Sequence, residues 1–106
     1  MRKQGDRVGC IVSATGQPGK DFVVNFLGYG VYEGDFVPPT GPFGSSWEEY
    51  DKIIQEVDIS YTTEKRPMNP RIRLDDGRVV WGRDCWFGSE EKIKKTLEGA
   101  TTIVNV

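Results

Sequence analysis

No histidine occurs anywhere in this chain. That one absence removes every catalytic triad built on imidazole, the commonest general base, and most zinc sites. Only two cysteines are present, Cys10 and Cys85, fewer than a small disulfide-stapled secreted domain usually carries. Each lies in an apolar, strand-like segment, so two buried thiols in a reducing cytosol are expected, with a bridge between them left open. No apolar run approaches the roughly 18 residues that a membrane span needs. Met1, Arg2 and Lys3 are followed by Gln4, Gly5 and Asp6 and not by the apolar stretch of a signal peptide, so a cytoplasmic location is expected. A dominant charge is missing too: 14 Lys and Arg stand against 16 Asp and Glu, a net −2, which argues against a globally basic nucleic-acid binder. The sequence contains no G-x-S-x-G, P-loop, G-x-G-x-x-G, H-E-x-x-H or C-x-x-C. Binding without turnover is therefore expected, with no metal and no cofactor.

What is present suits one domain: 106 residues, 37% apolar and 28% charged, enough to pack a core. Val8, Cys10, Val12 and Ala14 alternate with Arg7, Gly9, Ile11 and Ser13, the period of a strand. A turn at Thr15–Lys20 leads to a second strand, Asp21–Gly28, apolar on both faces and so expected to be central. Gly28–Pro39, with three glycines among aromatics, predicts a separate bent or bulged strand that the two prolines end.

Ser46 with Glu49 forms a capping box for a helix whose Trp47, Tyr50, Ile54 and Val57 share one face. Val57, Ile59 and Tyr61 then alternate with Asp58, Ser60 and Thr62, which predicts a further strand or extended segment. Asp76-Gly77 marks a hairpin. A two-residue turn there would set Leu74 opposite Val79 and Ile72 opposite Trp81, an all-apolar face with Arg71, Arg73, Asp75 and Arg78 on the other. After Arg83–Gly88, Ser89 caps a short helix that Gly99 stops, and β-branched Thr101–Val106 would close the chain as a strand.

The expected fold is α+β: a small, strongly bent antiparallel sheet with two helices packed on it. Gly5-Asp6-Arg7-Val8 and Gly34-Asp35-Phe36-Val37 resemble strand openings of SH3-like barrels, which offers a partial barrel as a variant of that fold.

Leu27–Asp35 (L-G-Y-G-V-Y-E-G-D) and Leu74–Gly88 (L-D-D-G-R-V-V-W-G-R-D-C-W-F-G) resemble motifs of short uncharacterised proteins of bacterial and phage genomes. That group has no established chemistry, so the resemblance carries no functional residues. It implies at most a phage-encoded protein working in the host cytoplasm.

Charge is uneven along the chain. Glu64–Arg83 holds six basic residues (Lys65, Arg66, Arg71, Arg73, Arg78, Arg83) against three acidic, whereas Trp47–Asp58 holds one basic against five acidic. Arginine forks suit phosphate and carboxylate, and aromatics in glycine-rich stretches can stack a planar ligand. Tyr29, Tyr32, Arg71, Arg73, Arg83 and Trp86 are therefore the candidate ligand-binding residues, for an anionic or nucleotide-like small molecule. Sequestering a signalling nucleotide is the role that analogy with other small phage proteins suggests. Glu33 with Asp35, and Asp84, are the carboxylates that acid/base chemistry would require, but no catalytic residue is expected. The alternative is a protein-interaction module using the acidic helix or a sheet edge, with a host protein as partner. A third reading is an SH3-like nucleic-acid-binding domain. Membrane association is not expected, and self-association stays open because a core this small gains from extra burial.

Overall fold

The computed structural model describes residues 2–106, the side chain of Phe43 excepted. Its elements are strands β1 (Arg7–Gln17), β2 (Lys20–Phe36), β3 (Asn69–Leu74), β4 (Val79–Trp81), β5 (Trp86–Ser89) and β6 (Thr102–Asn105), with helices α1 (Trp47–Val57) and α2 (Glu90–Glu98). Short 3-10 turns cover Pro42–Gly44 and Thr63–Lys65. The strands join one sheet in the order β4-β3-β2-β1-β5, with β6 added on β2. β1–β2, β1–β5 and β3–β4 are antiparallel, while β6 runs parallel to β2. The α+β class with a bent, open, mainly antiparallel sheet is thus as expected. No helix is long and apolar enough to cross a membrane among the described residues.

The chain divides into two compact units: the residues up to Asp35 with those from Pro70 onward, and Phe36–Asn69. The first contains nearly all of the sheet, and its two apolar clusters lie on opposite faces of β1. Val8, Cys10, Ile72, Leu74 and Cys85 pack on one side with Leu27, Tyr32, Val80 and Phe87 around them. Ile11, Phe22, Val24 and Phe26 pack on the other against Ile93 of α2. Burial on both faces is what a central β2 requires. Close approach explains one of its glycines: a Cβ on Gly30 would sit 2.3 Å from the Arg73 carbonyl oxygen, so β3 can lie against β2 only if that side chain is missing.

The second unit is organised by α1. The Ser46 hydroxyl accepts the Glu49 N–H at 3.2 Å, the cap that the sequence predicts. Trp47 is buried and its indole N–H donates to the Pro38 carbonyl at 2.7 Å. Tyr50 stands edge-on to both Trp47 and Tyr61. The Asp51 carboxylate receives the Tyr61 hydroxyl at 2.6 Å and the guanidinium of Arg66, which also lies over the Trp47 ring. Those bonds, led by the one from Arg66, hold the Asp51 carboxyl below its ordinary value. Burial, and then Asp51, push the Tyr61 phenol up to about 12.

Three segments depart from the sequence reading. Gly28 does not separate two strands. β2 is continuous over 17 residues, and the irregularity nearest Gly28 is a bulge at Leu27, because Cys10 pairs with Gly28 and Ile11 with Phe26. The alternation Val57, Ile59, Tyr61 forms no strand: the Asp58 carboxylate takes both the N–H and the hydroxyl of Ser60 and turns the chain there. Val57 accordingly leaves the face of Trp47 and Tyr50 and is 82% exposed. Conversely, Trp86–Ser89, read as a lead-in to a helix, is a strand paired with β1 from Val8 to Ile11.

Candidate functional site

The hairpin β3–β4 decides which side chains meet. Leu74 N–H donates to the Arg78 carbonyl at 2.8 Å and Gly77 N–H to the Leu74 carbonyl at 2.9 Å, so the loop is the three residues Asp75, Asp76 and Gly77. Gly77 adopts φ +94°, the left-handed position such a loop needs. The Asp76 carboxylate clamps the loop by accepting from both the N–H and the side chain of Arg78. The two-residue turn expected from Asp76-Gly77 is therefore wrong by one residue. Arg71 pairs with Trp81, Ile72 with Val80 and Arg73 with Val79.

A slip of one residue exchanges the faces of the second strand. Val80, and not Val79, packs with Ile72 in the core, and Trp81 stands on the arginine face. On that face Arg71 and Arg73 are two residues apart and converge on one acceptor. The Nε of each donates to a different oxygen of Glu33 on β2, both at 3.1 Å. Two guanidinium groups thus share one carboxylate beside an indole.

The rim of this face is also charged. Arg7 on β1 grips Asp75 through two bonds of 2.7 Å and donates its Nε to Glu90 at 2.8 Å. Hydrogen bonding to Arg7 holds the Asp75 and Glu90 carboxyls below their ordinary values. Lys94 reaches Glu90 at 3.2 Å and lies 5.9 Å from the centre of the Tyr29 ring.

The six sequence candidates are thus distributed unevenly. Arg71 and Arg73 are brought together. Tyr29 shares their face of β2 by alternation, yet packs edge-on against Phe26 at 4.9 Å within the α2 cluster. Tyr32, three residues on, lies on the opposite face, stacked on Phe87 with its hydroxyl donating to Asp35 at 2.7 Å. Arg2 covers the Phe87 ring at 4.3 Å. Arg83 sits in the turn before β5, 3.7 Å from the Asp84 carboxylate. Trp86 opens β5 opposite Ile11 and is 69% exposed. The carboxylates considered for acid/base work are acceptors in these same contacts: Glu33 for Arg71 and Arg73, Asp35 for Tyr32, Asp84 for Arg83.

Two residues of the cluster escaped the sequence reading in this role. As a carboxylate near Asp35, Glu33 suggests acid/base chemistry, although Tyr29, Val31 and Glu33 share one face of β2 by simple alternation. A two-residue turn assigns Trp81 to the core. Cys10 and Cys85 are free and buried in one cluster, and the Cys85 contact together with burial pushes the Cys10 thiol well up. Among the described residues no group of His, Cys, Asp and Glu is arranged to hold a metal ion. No family model, no curated protein and no solved structure matches this chain.

Proposed function

We propose that this chain is a non-enzymatic binding protein that captures an anionic, nucleotide-like ligand on the face formed by Arg71, Arg73 and Trp81. One observation carries the reading: two guanidinium groups already close on a carboxylate, that of Glu33, next to the cross-strand indole. A ligand phosphate or carboxylate would meet the same two forks, whose planar donors match its oxygens. Trp81 supplies the stacking surface, the part that Tyr29, Tyr32 and Trp86 have in the sequence reading. Arg83 is the nearest additional arginine in sequence and would act at the margin. The resemblance to phage-genome proteins extends the reading to a role, sequestration of a signalling nucleotide in a host cytoplasm, where free buried thiols such as Cys10 and Cys85 stay reduced.

Thermal unfolding against inorganic phosphate, dicarboxylates and a panel of mono-, di- and cyclic nucleotides tests this. A ligand bound only by the folded state adds about 2.7 kcal/mol at a hundredfold excess over its Kd, which a midpoint shift reports. Arg71→Ala with Arg73→Ala should abolish the shift. Glu33→Gln should enlarge it, because the internal competitor loses its charge. Trp81→Ala should weaken nucleotides while sparing phosphate. If no anion moves the midpoint at saturation, the reading fails. Binding confined to oligonucleotides, with a steep loss on adding salt, would transfer the face to nucleic-acid recognition.

A further inference from the structure

Helix α1 presents a second surface of different character. Ile53 and Val57 lie one turn apart on the same side of the helix and are 63% and 82% exposed; Ile59, just beyond the helix, is 93% exposed. Neither aliphatic is needed for the packing of its unit, which Trp47, Tyr50, Tyr61 and the Asp51–Arg66 pair provide. Beside this stripe the exposed charged residues are mainly acidic, Glu48, Glu49 and Glu56 against the single cation Lys52. Glu49 precedes Ile53 by four positions and Glu56 follows it by three, both exposed. Among the described residues no ion pair engages Glu48, Glu49 or Glu56. Every arginine from Arg66 to Arg83, by contrast, has a carboxylate within 4.0 Å.

We infer that this face of α1 is a docking surface for a basic amphipathic helix, a partner segment with an aliphatic ridge flanked by lysines or arginines. The apolar stripe supplies an area to bury, and the carboxylates beside it fix the sign of the charge that must border the partner's ridge. A second copy of this chain is the wrong occupant. In a two-fold pairing of α1 on α1, the patch meets itself, which sets the acidic excess of one copy against that of the other, three exposed carboxylates to the single Lys52 on each helix. A neutral apolar partner would leave those carboxylates partly desolvated and unpaired. The braced aromatic side of α1 keeps the stripe in place before any partner arrives, so little ordering entropy is lost on binding.

Fluorescence anisotropy with three labelled synthetic helices decides the matter: a Leu/Lys amphipathic peptide, a Leu/Glu peptide with the same ridge, and a Ser/Lys peptide with the same charge. The intact protein should bind the Leu/Lys peptide at least about tenfold more tightly than either control. Ile53→Ser with Val57→Ser should cost about tenfold or more, as loss of two central apolar anchors does. Glu49→Lys with Glu56→Lys should reverse the preference toward the Leu/Glu peptide. Far-ultraviolet circular dichroism checks that each variant is folded, and Glu56→Lys alone serves if the double reversal melts the helix. Equal binding of the Leu/Lys and Ser/Lys peptides would overturn the proposal, since charge alone would then suffice. So would a preference that survives the charge reversal. Sedimentation velocity closes the remaining route: a dimer dispersed by the Ile53→Ser, Val57→Ser variant would assign the stripe to a second copy and overturn the basic partner.

Discussion

The β2–β3 face and helix α1 treat charge in opposite ways. On the sheet, an arginine-rich segment of sequence folds so that each guanidinium finds a carboxylate: Glu33 for Arg71 and Arg73, Asp76 for Arg78, Asp84 for Arg83. On α1 the acidic excess stays largely unanswered: among the described residues only Asp51 of the helix is drawn into an ion pair. Apolar side chains divide the same way. Ile72, Leu74 and Val80 of the hairpin go to the core, whereas Ile53 and Val57 of the helix stay in water. A local surplus in the sequence is therefore a poor guide to what a surface offers. What matters is whether the fold brings the opposite group within reach, and here it does so for the basic segment and not for the acidic one.

The largest expected effect tests whether α1 really has one structural and one free side. Trp47→Ala removes a buried indole and its bond to Pro38, and should cost about 3–5 kcal/mol in urea unfolding. Ile53→Ala, six residues along the same helix, should change stability by no more than about 0.5 kcal/mol. A large loss at Ile53 would mean that the stripe is core, and the contrast between the two surfaces would collapse.

A smaller effect sharpens the sheet side, where the register carries the argument. Val80 faces the cluster of Ile72 and Leu74, so Val80→Thr sets a hydroxyl against apolar neighbours and should cost about 1 kcal/mol. Val79 points to the arginine face at 40% exposure, and Val79→Thr should be near neutral. The two-residue turn would give the reverse order. Chemical denaturation of the two single variants thus reports directly which face Trp81 occupies.

That register also illustrates how far the sequence can be read. The class of fold, the central position of β2, the Ser46 and Ser89 caps and the hairpin itself follow from patterns within a few residues of one another. The turn length does not, because Asp75-Asp76-Gly77 fits a three-residue loop as well as Asp76-Gly77 fits a two-residue one. The hydrophobic pattern is equally ambiguous: Val79 and Val80 are the same residue type, so either can fill the core. The convergence on Glu33 was illegible for another reason. It joins residues 38 and 40 positions apart, across a strand pairing that local periodicity does not specify. At the end of α1, alternation imitated a strand because Asp58 and Ser60 are polar for the sake of their own turn and not as an outer face.

The smallest effect concerns how much the internal pairing contributes, and it depends on pH. The Asp75 and Glu90 carboxyls are held below their ordinary values chiefly by hydrogen bonds from Arg7, and Asp51 chiefly by Arg66. A carboxyl depressed in the folded state is protonated first in the unfolded chain as acid is added. Its contribution is complete above the ordinary value, 3.8 for the two aspartates and 4.5 for Glu90, and is lost as pH falls below that value through the folded one. The urea midpoint should therefore be flat near neutrality and decline in that acid window. Arg7→Gln should lower the neutral plateau slightly and flatten the decline, so that variant and parent converge at the acid end. Arg7 and Asp75 are exposed and Glu90 is half-buried, so salt should shrink the difference. Parallel curves would mean that the bonds of Arg7 to Asp75 and Glu90 are geometrically present but energetically idle. The sheet face would then be as open to an incoming charge as α1, and the distinction between the two surfaces would rest on their apolar side chains alone.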